Sequence, residues 1–75
     1  MSIILTRRDP IRNLQRYYRP DVQPDLFGSW CLIREWDRIG QGGQARSTLY
    51  PTADEAQAAL ERQRRRKERR GYAPS

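Results

Sequence analysis

Residues 30–50 read WCLIREWDRIGQGGQARSTLY. Two extended runs flank a glycine-rich break, and that pattern decides the fold class. Trp30 to Ile39 is rich in aromatic and aliphatic residues, the composition of a strand. Gly40-Gln41-Gly42-Gly43 supplies a turn, where glycine reaches backbone angles that other residues resist. Gln44 to Tyr50 follows as a shorter strand. Alternation puts Trp30, Leu32, Arg34, Trp36 and Arg38 on one face of the first strand. Cys31, Ile33, Glu35, Asp37 and Ile39 take the other. Both faces mix apolar and charged groups, so the pattern leaves open which one meets the core.

A helix is marked directly downstream. Thr52 is a good N-cap and Glu55, three residues on, completes a capping box. Asp54 and Glu55 suit the positive end of the helix dipole. Ala53, Ala56, Ala59, Leu60 and Gln63 form a narrow stripe at helical spacing, with Ala56 and Leu60 expected against the sheet. The helix is predicted from Thr52 to about Arg70, with Gly71 as its stop. Tyr72 can then fold back, and residues 73–75 are expected to be loose.

Upstream, Ser2 to Arg7 reads as a first strand and Asp9-Pro10 as the start of a turn. Ile11 to Gln15 is expected to form a short helical turn. Tyr17 to Gln23 reads as a second strand, and Pro20 inside it predicts an edge strand or a bulge. Residues 24–29 connect it to Trp30. The expected fold is α+β: an antiparallel four- to five-stranded sheet with one C-terminal α-helix packed on it. At 75 residues the chain is expected to be a single domain, 1–75, with a thin core.

Charge is the loudest functional signal. Fifteen bases stand against nine acids, and fourteen of the bases are arginine. Residues 1–60 hold eight bases and seven acids, whereas residues 61–75 hold seven bases and two acids. The excess therefore sits on the helix end, about 61–70. Arginine's planar fork suits phosphate oxygens, and a one-sided basic cluster favours a polyanion. Arg62, Arg65, Arg66, Lys67, Arg69 and Arg70 are the candidates there. The plainer alternative is a solvated charged tail, but such faces normally mix signs.

Other classes are poorly served. Cys31 is the only cysteine and there is no histidine, so the usual zinc ligands and the usual general base are missing. No catalytic constellation, cofactor, metal site or small-molecule substrate is expected. The only early apolar run, Ile3-Ile4-Leu5, is too short for a signal peptide or a membrane span. The expectation is a soluble cytoplasmic protein with no membrane partner.

Trp36 and Arg38 lie two positions apart on a strand and share a face. A ring and a fork so placed can cover a sugar or base and hold a phosphate. With equal weight, Trp36 could be core and Arg38 a surface ion-pair partner. Tyr17 and Tyr18 face opposite ways, so one is expected in the core and the other available for stacking.

The run from Trp30 to Gln44 resembles the signature of the WGR domain, named for a Trp-Gly-Arg triplet followed by an apolar residue, glycine and a Gly-Gln pair. Trp36, Arg38, Ile39, Gly40, Gly43 and Gln44 match it. Upstream, Asn13, Arg16, Tyr17, Tyr18 and Gln23 are similar to the family's second strand. The alanine-rich helix and Gly71-Tyr72 resemble the end of short bacterial stand-alone members. The resemblance implies a sheet with a helix on it. It also implies DNA binding at strand breaks, and so DNA-damage work, as in the DNA-dependent poly(ADP-ribose) polymerases. There the tryptophan packs on the sugar–phosphate end and the arginine contacts DNA or a neighbouring domain. By that resemblance Trp36 and Arg38 are the central residues, with Tyr72 and the basic helix beside them and Arg16, Tyr17 and Gln44 as further contacts. No ADP-ribosyl transfer is implied. Asp37 replaces the family's glycine, where a carboxylate could repel a phosphate and neutralise Arg38. The leading expectation is a non-catalytic DNA-binding module; a protein–protein adaptor and an RNA-binding module are the alternatives.

Overall fold

The computed structural model describes residues 3–12, 14–40 and 42–74, and of Leu14 the backbone alone. Its elements are β1 (Leu5–Asp9), β2 (Leu14–Pro24), β3 (Trp30–Arg38), β4 (Gln44–Tyr50), α1 (Ala53–Arg69) and β5 (Ala73–Pro74). The five strands form one antiparallel sheet in the order β4-β3-β2-β1-β5. This is the expected α+β class, with α1 across one face.

Three local expectations give way. The helical turn expected over 11–15 gives way at its end to strand, since Leu14 and Gln15 belong to β2. Asp9 Oδ1 accepts the backbone N–H groups of Ile11 and Arg12 at 3.1 and 3.3 Å, closing a side-chain-capped turn, and β2 begins at Leu14. β2 is also not an edge strand of the sheet, since residues 14–18 pair with β1 and residues 16–24 with β3, although past Tyr18 only β3 continues the ladder. Pro20 is tolerated there for a local reason. Its carbonyl accepts from the Ile3 N–H at 3.4 Å, so its missing donor faces the β1 side. The β1 ladder runs only from Leu5, opposite Tyr18, and the proline falls just past that end. Finally, residues 73 and 74 are not loose, because Ala73 and Pro74 pair with Thr6 and Leu5 of β1. Ser2, Asn13, Gln41 and Ser75 lie outside the described residues.

The core settles the two faces of β3. Leu32 and Val22 from the sheet meet Ala56, Ala59 and Leu60 from α1, with Trp30 and Tyr50 packed at the margin. The even-numbered face of β3 is therefore the helix side. Alanine at positions 56 and 59 lets α1 approach the sheet closely, so Leu60 reaches between the strands and is 1% exposed. Register then fixes rows across the same face. Arg7, Arg16 and Arg38 form one row, and Leu5, Tyr18, Trp36 and Gln44 the next. Arg34 and Arg46 stand opposite each other in a third.

Both ends of α1 are capped by their own sequence. The Glu55 N–H donates to Thr52 Oγ1 at 3.2 Å. At the other end, the Gly71 N–H donates to the Glu68 carbonyl and the Tyr72 N–H to the Lys67 carbonyl, at 3.0 and 3.1 Å. Gly71 has φ 95°, completing a Schellman closure that turns Tyr72 back toward the sheet. Gly71→Ala is expected to cost about 1–2 kcal/mol, because a side chain there is forced into the left-handed region. Chemical denaturation should read this as a lower midpoint with an unchanged slope.

Candidate nucleic-acid interface

The last two turns of α1 extend past the apolar core and overhang the charged rows of the sheet. Two adjoining hollows lie beneath them. The first, about 390 Å³, is lined by Arg16, Trp36 and Arg38 of the sheet, Gln44 of β4, and Lys67 and Tyr72 from the helix end. Tyr17 and Asp37 also line it. The second, about 290 Å³, is lined by Tyr18, Arg34, Trp36 and Arg46 of the sheet. Gln63, Arg66, Lys67 and Arg70 of the helix complete it. Trp36 and Lys67 belong to both.

Lys67 anchors the overhang. Its Nζ sits 4.7 Å from the centre of the Tyr18 ring and 5.4 Å from that of Tyr72. Both distances are within cation–π range. Loss of solvent pushes its pKa below the usual lysine value, and Arg70, Arg34 and Arg66 push it the same way. Tyr18 is 3% exposed and is the core member of the tyrosine pair. Burial raises its pKa, which Arg34 opposes. The Tyr18 hydroxyl and Arg34 Nε are both buried, and neither has a partner of good hydrogen-bond geometry.

The profile of the WGR domain matches residues 1–75. The chain belongs to the WGR domain family. It is 39% identical over 72 residues to the uncharacterized protein y4dW of Sinorhizobium fredii. That match covers 96% of this chain and 35% of the relative, so the chain spans about a third of the relative's length. In poly(ADP-ribose) polymerases the WGR domain is associated with nucleic-acid binding.

Trp36 is half-buried on the helix side, and Arg38 follows it on the same face at the end of β3. Gly43 is small for a steric reason: a Cβ there would collide with the Tyr17 hydroxyl and come within 2.8 Å of Glu35 Cγ. That pair is itself fixed, since the Tyr17 hydroxyl donates to Glu35 Oε1 at 3.0 Å and Arg19 donates to Glu35 Oε2 at 3.1 Å. Asp37, in the glycine position of the WGR triplet, alternates to the face opposite Trp36 and Arg38. Its Oδ1 accepts the Arg38 backbone N–H at 2.7 Å. Among the described residues no ion pair joins it to the Arg38 guanidinium, while Asp37 still lines the first hollow together with Arg38.

The basic helix end of the WGR domain divides by direction. Arg66, Lys67 and Arg70 line the hollows. Arg65 and Arg69 are exposed on the side of α1 turned away from the buried Ala56 and Leu60. Arg62 lines a separate depression with Tyr50 and Pro51. Arg64 is held by Glu61 and Glu68 at 2.6 and 3.1 Å. Arg34 and Arg46 join the site without having been singled out from the sequence. Alternation already placed Arg34 on the face of Trp36, but only the register of β3 with β4 brings Arg46 beside it. Among the described residues no group of three or more His, Cys, Asp or Glu could hold a metal ion. Among them, too, no helix is long and apolar enough to cross a membrane.

Proposed function

We propose that this WGR domain is a non-catalytic DNA-binding module that recognises DNA ends through Trp36 and Arg38. One observation carries the reading: Trp36 is the common wall of two cation-lined hollows under the basic end of α1. Phosphates occur all along a duplex, so cations alone do not distinguish an end from an interior. An uncovered sugar or base occurs only at a break, and a ring is the group that covers it. Trp36 supplies the ring, Arg38 and Arg16 supply forks beside it, and Tyr72 faces them from the helix end.

The test compares linear with covalently closed DNA for wild type, Trp36→Ala and Arg38→Gln, each shown to be folded by circular dichroism. Trp36→Ala is expected to lose roughly 1–3 kcal/mol on end-bearing DNA, the scale of one aromatic stacking contact. Little should be lost on closed DNA. Equal losses on both forms would remove end recognition. Tighter binding to RNA of the same length would move the reading to that polymer. Indifference to all nucleic acids would favour a protein partner.

A further inference from the structure

We infer that the second hollow is an oxyanion pocket built for a phosphate group, with donors separate from those at Arg16 and Arg38. Five cations line it, namely Arg34, Arg46, Arg66, Lys67 and Arg70, and no acid does. None of the five takes part in the ion pairs among the described residues, which involve Arg12, Arg19 and Arg64. Arg34 and Arg46 stand directly opposite each other in the ladder, an arrangement that is unfavourable unless an anion lies between them. Tyr18, almost wholly buried, lines the same hollow, with its hydroxyl and the neighbouring Arg34 Nε closed to solvent behind it.

The shape of the demand selects the ligand class. Guanidinium forks converge from β3, β4 and α1, so the acceptor needs oxygens pointing several ways. A carboxylate offers two in one plane, whereas a phosphate group offers three or four in a tetrahedron and up to two charges. The crowding of Lys67 by its arginine neighbours is relieved by the same anion. A phosphate group can come from a nucleic-acid backbone or from a free phosphorylated small molecule. The first source rests on the function proposed above; the pocket itself does not.

The experiment titrates inorganic phosphate at constant ionic strength, made up with chloride, and follows arginine Nε–H and tryptophan Nε1–H resonances. Saturable shifts at Arg34 are expected. Arg46→Gln combined with Arg66→Gln, both at exposed positions on different elements, should weaken phosphate by about tenfold or more. Arg65→Gln combined with Arg69→Gln, the same loss of charge on the far side of α1, should not. No saturable response, or an equal loss with that second pair, overturns the pocket. A duplex DNA arm separates the sources. If the double change weakens duplex and phosphate together, the backbone is the ligand. If phosphate is lost and duplex affinity is kept, the ligand is a free phosphorylated molecule. Wild-type protein that binds phosphate but not duplex removes the DNA reading and leaves the pocket standing.

Discussion

Leu60→Ala is expected to lower the thermal midpoint by roughly 10–30 °C. Leu60 is 1% exposed and packs with Leu32, Val22, Ala56 and Ala59, which are most of the buried apolar side chains α1 shares with the sheet. Truncating a buried leucine costs about 2–4 kcal/mol, and the two alanines beside it on α1 have little length with which to refill the space. In a domain of this size each kcal/mol moves the midpoint by about 4–8 °C. Leu49→Ala is the control. Leu49 is 63% exposed on the face away from the helix, so its loss should be small. A Leu60→Ala midpoint within a degree or two of wild type would mean α1 is not held by this contact. The helix end, and the two hollows with it, would then lack a fixed position.

Salt should weaken duplex binding steeply, and only some arginines should account for it. If about four to six phosphates are neutralised, log K falls against log salt with a slope near −4 to −5. Between 50 and 200 mM salt, affinity then drops on the order of 250- to 1,000-fold. Changing Arg38, Arg66 and Arg70 to glutamine removes three cations that line the hollows and should flatten the slope by up to about three units. Changing Arg62, Arg65 and Arg69 removes as many charges from elsewhere on α1 and should flatten it by less than about one. Composition is identical in the two triples, so only placement separates them. Equal slopes would show diffuse charge attraction, with no bound register on this face.

The parts of the fold that announce themselves in sequence are those with local physics. Thr52 and Glu55 mark the start of α1, Gly71 its end, and the Gly40–Gly43 break its own hairpin. What stays hidden depends on partners distant in the chain. Pro20 reads as an edge marker, because no local signal shows that its missing donor falls where β1 has stopped. Ala73 and Pro74 carry no strand signal, and they pair only because the Schellman closure at Gly71 delivers them to β1. The site behaves the same way. Trp36 and Arg38 share a face by alternation, but only the packing of Leu32 against Leu60 fixes which face it is. Seven helix bases look like one cluster in sequence, and a period of 3.6 residues divides them among three directions. Arg34 and Arg46 enter the site only through register, which the sequence around Gly40–Gly43 leaves unfixed.

The two borders of the sheet are unlike. On one side the outermost strand is β5, two residues long and ending in a proline with no N–H to offer. Beyond it β1 continues with Arg7, Arg8 and Asp9. Shortness, proline and charge are the devices that stop further strands from adding. On the other side β4 presents seven residues with one charge, Arg46. Head-to-tail stacking of sheets would need both borders, and the β5 border disfavours it. The β4 border is guarded by Arg46 alone among charged residues, so it is the border more open to an added strand.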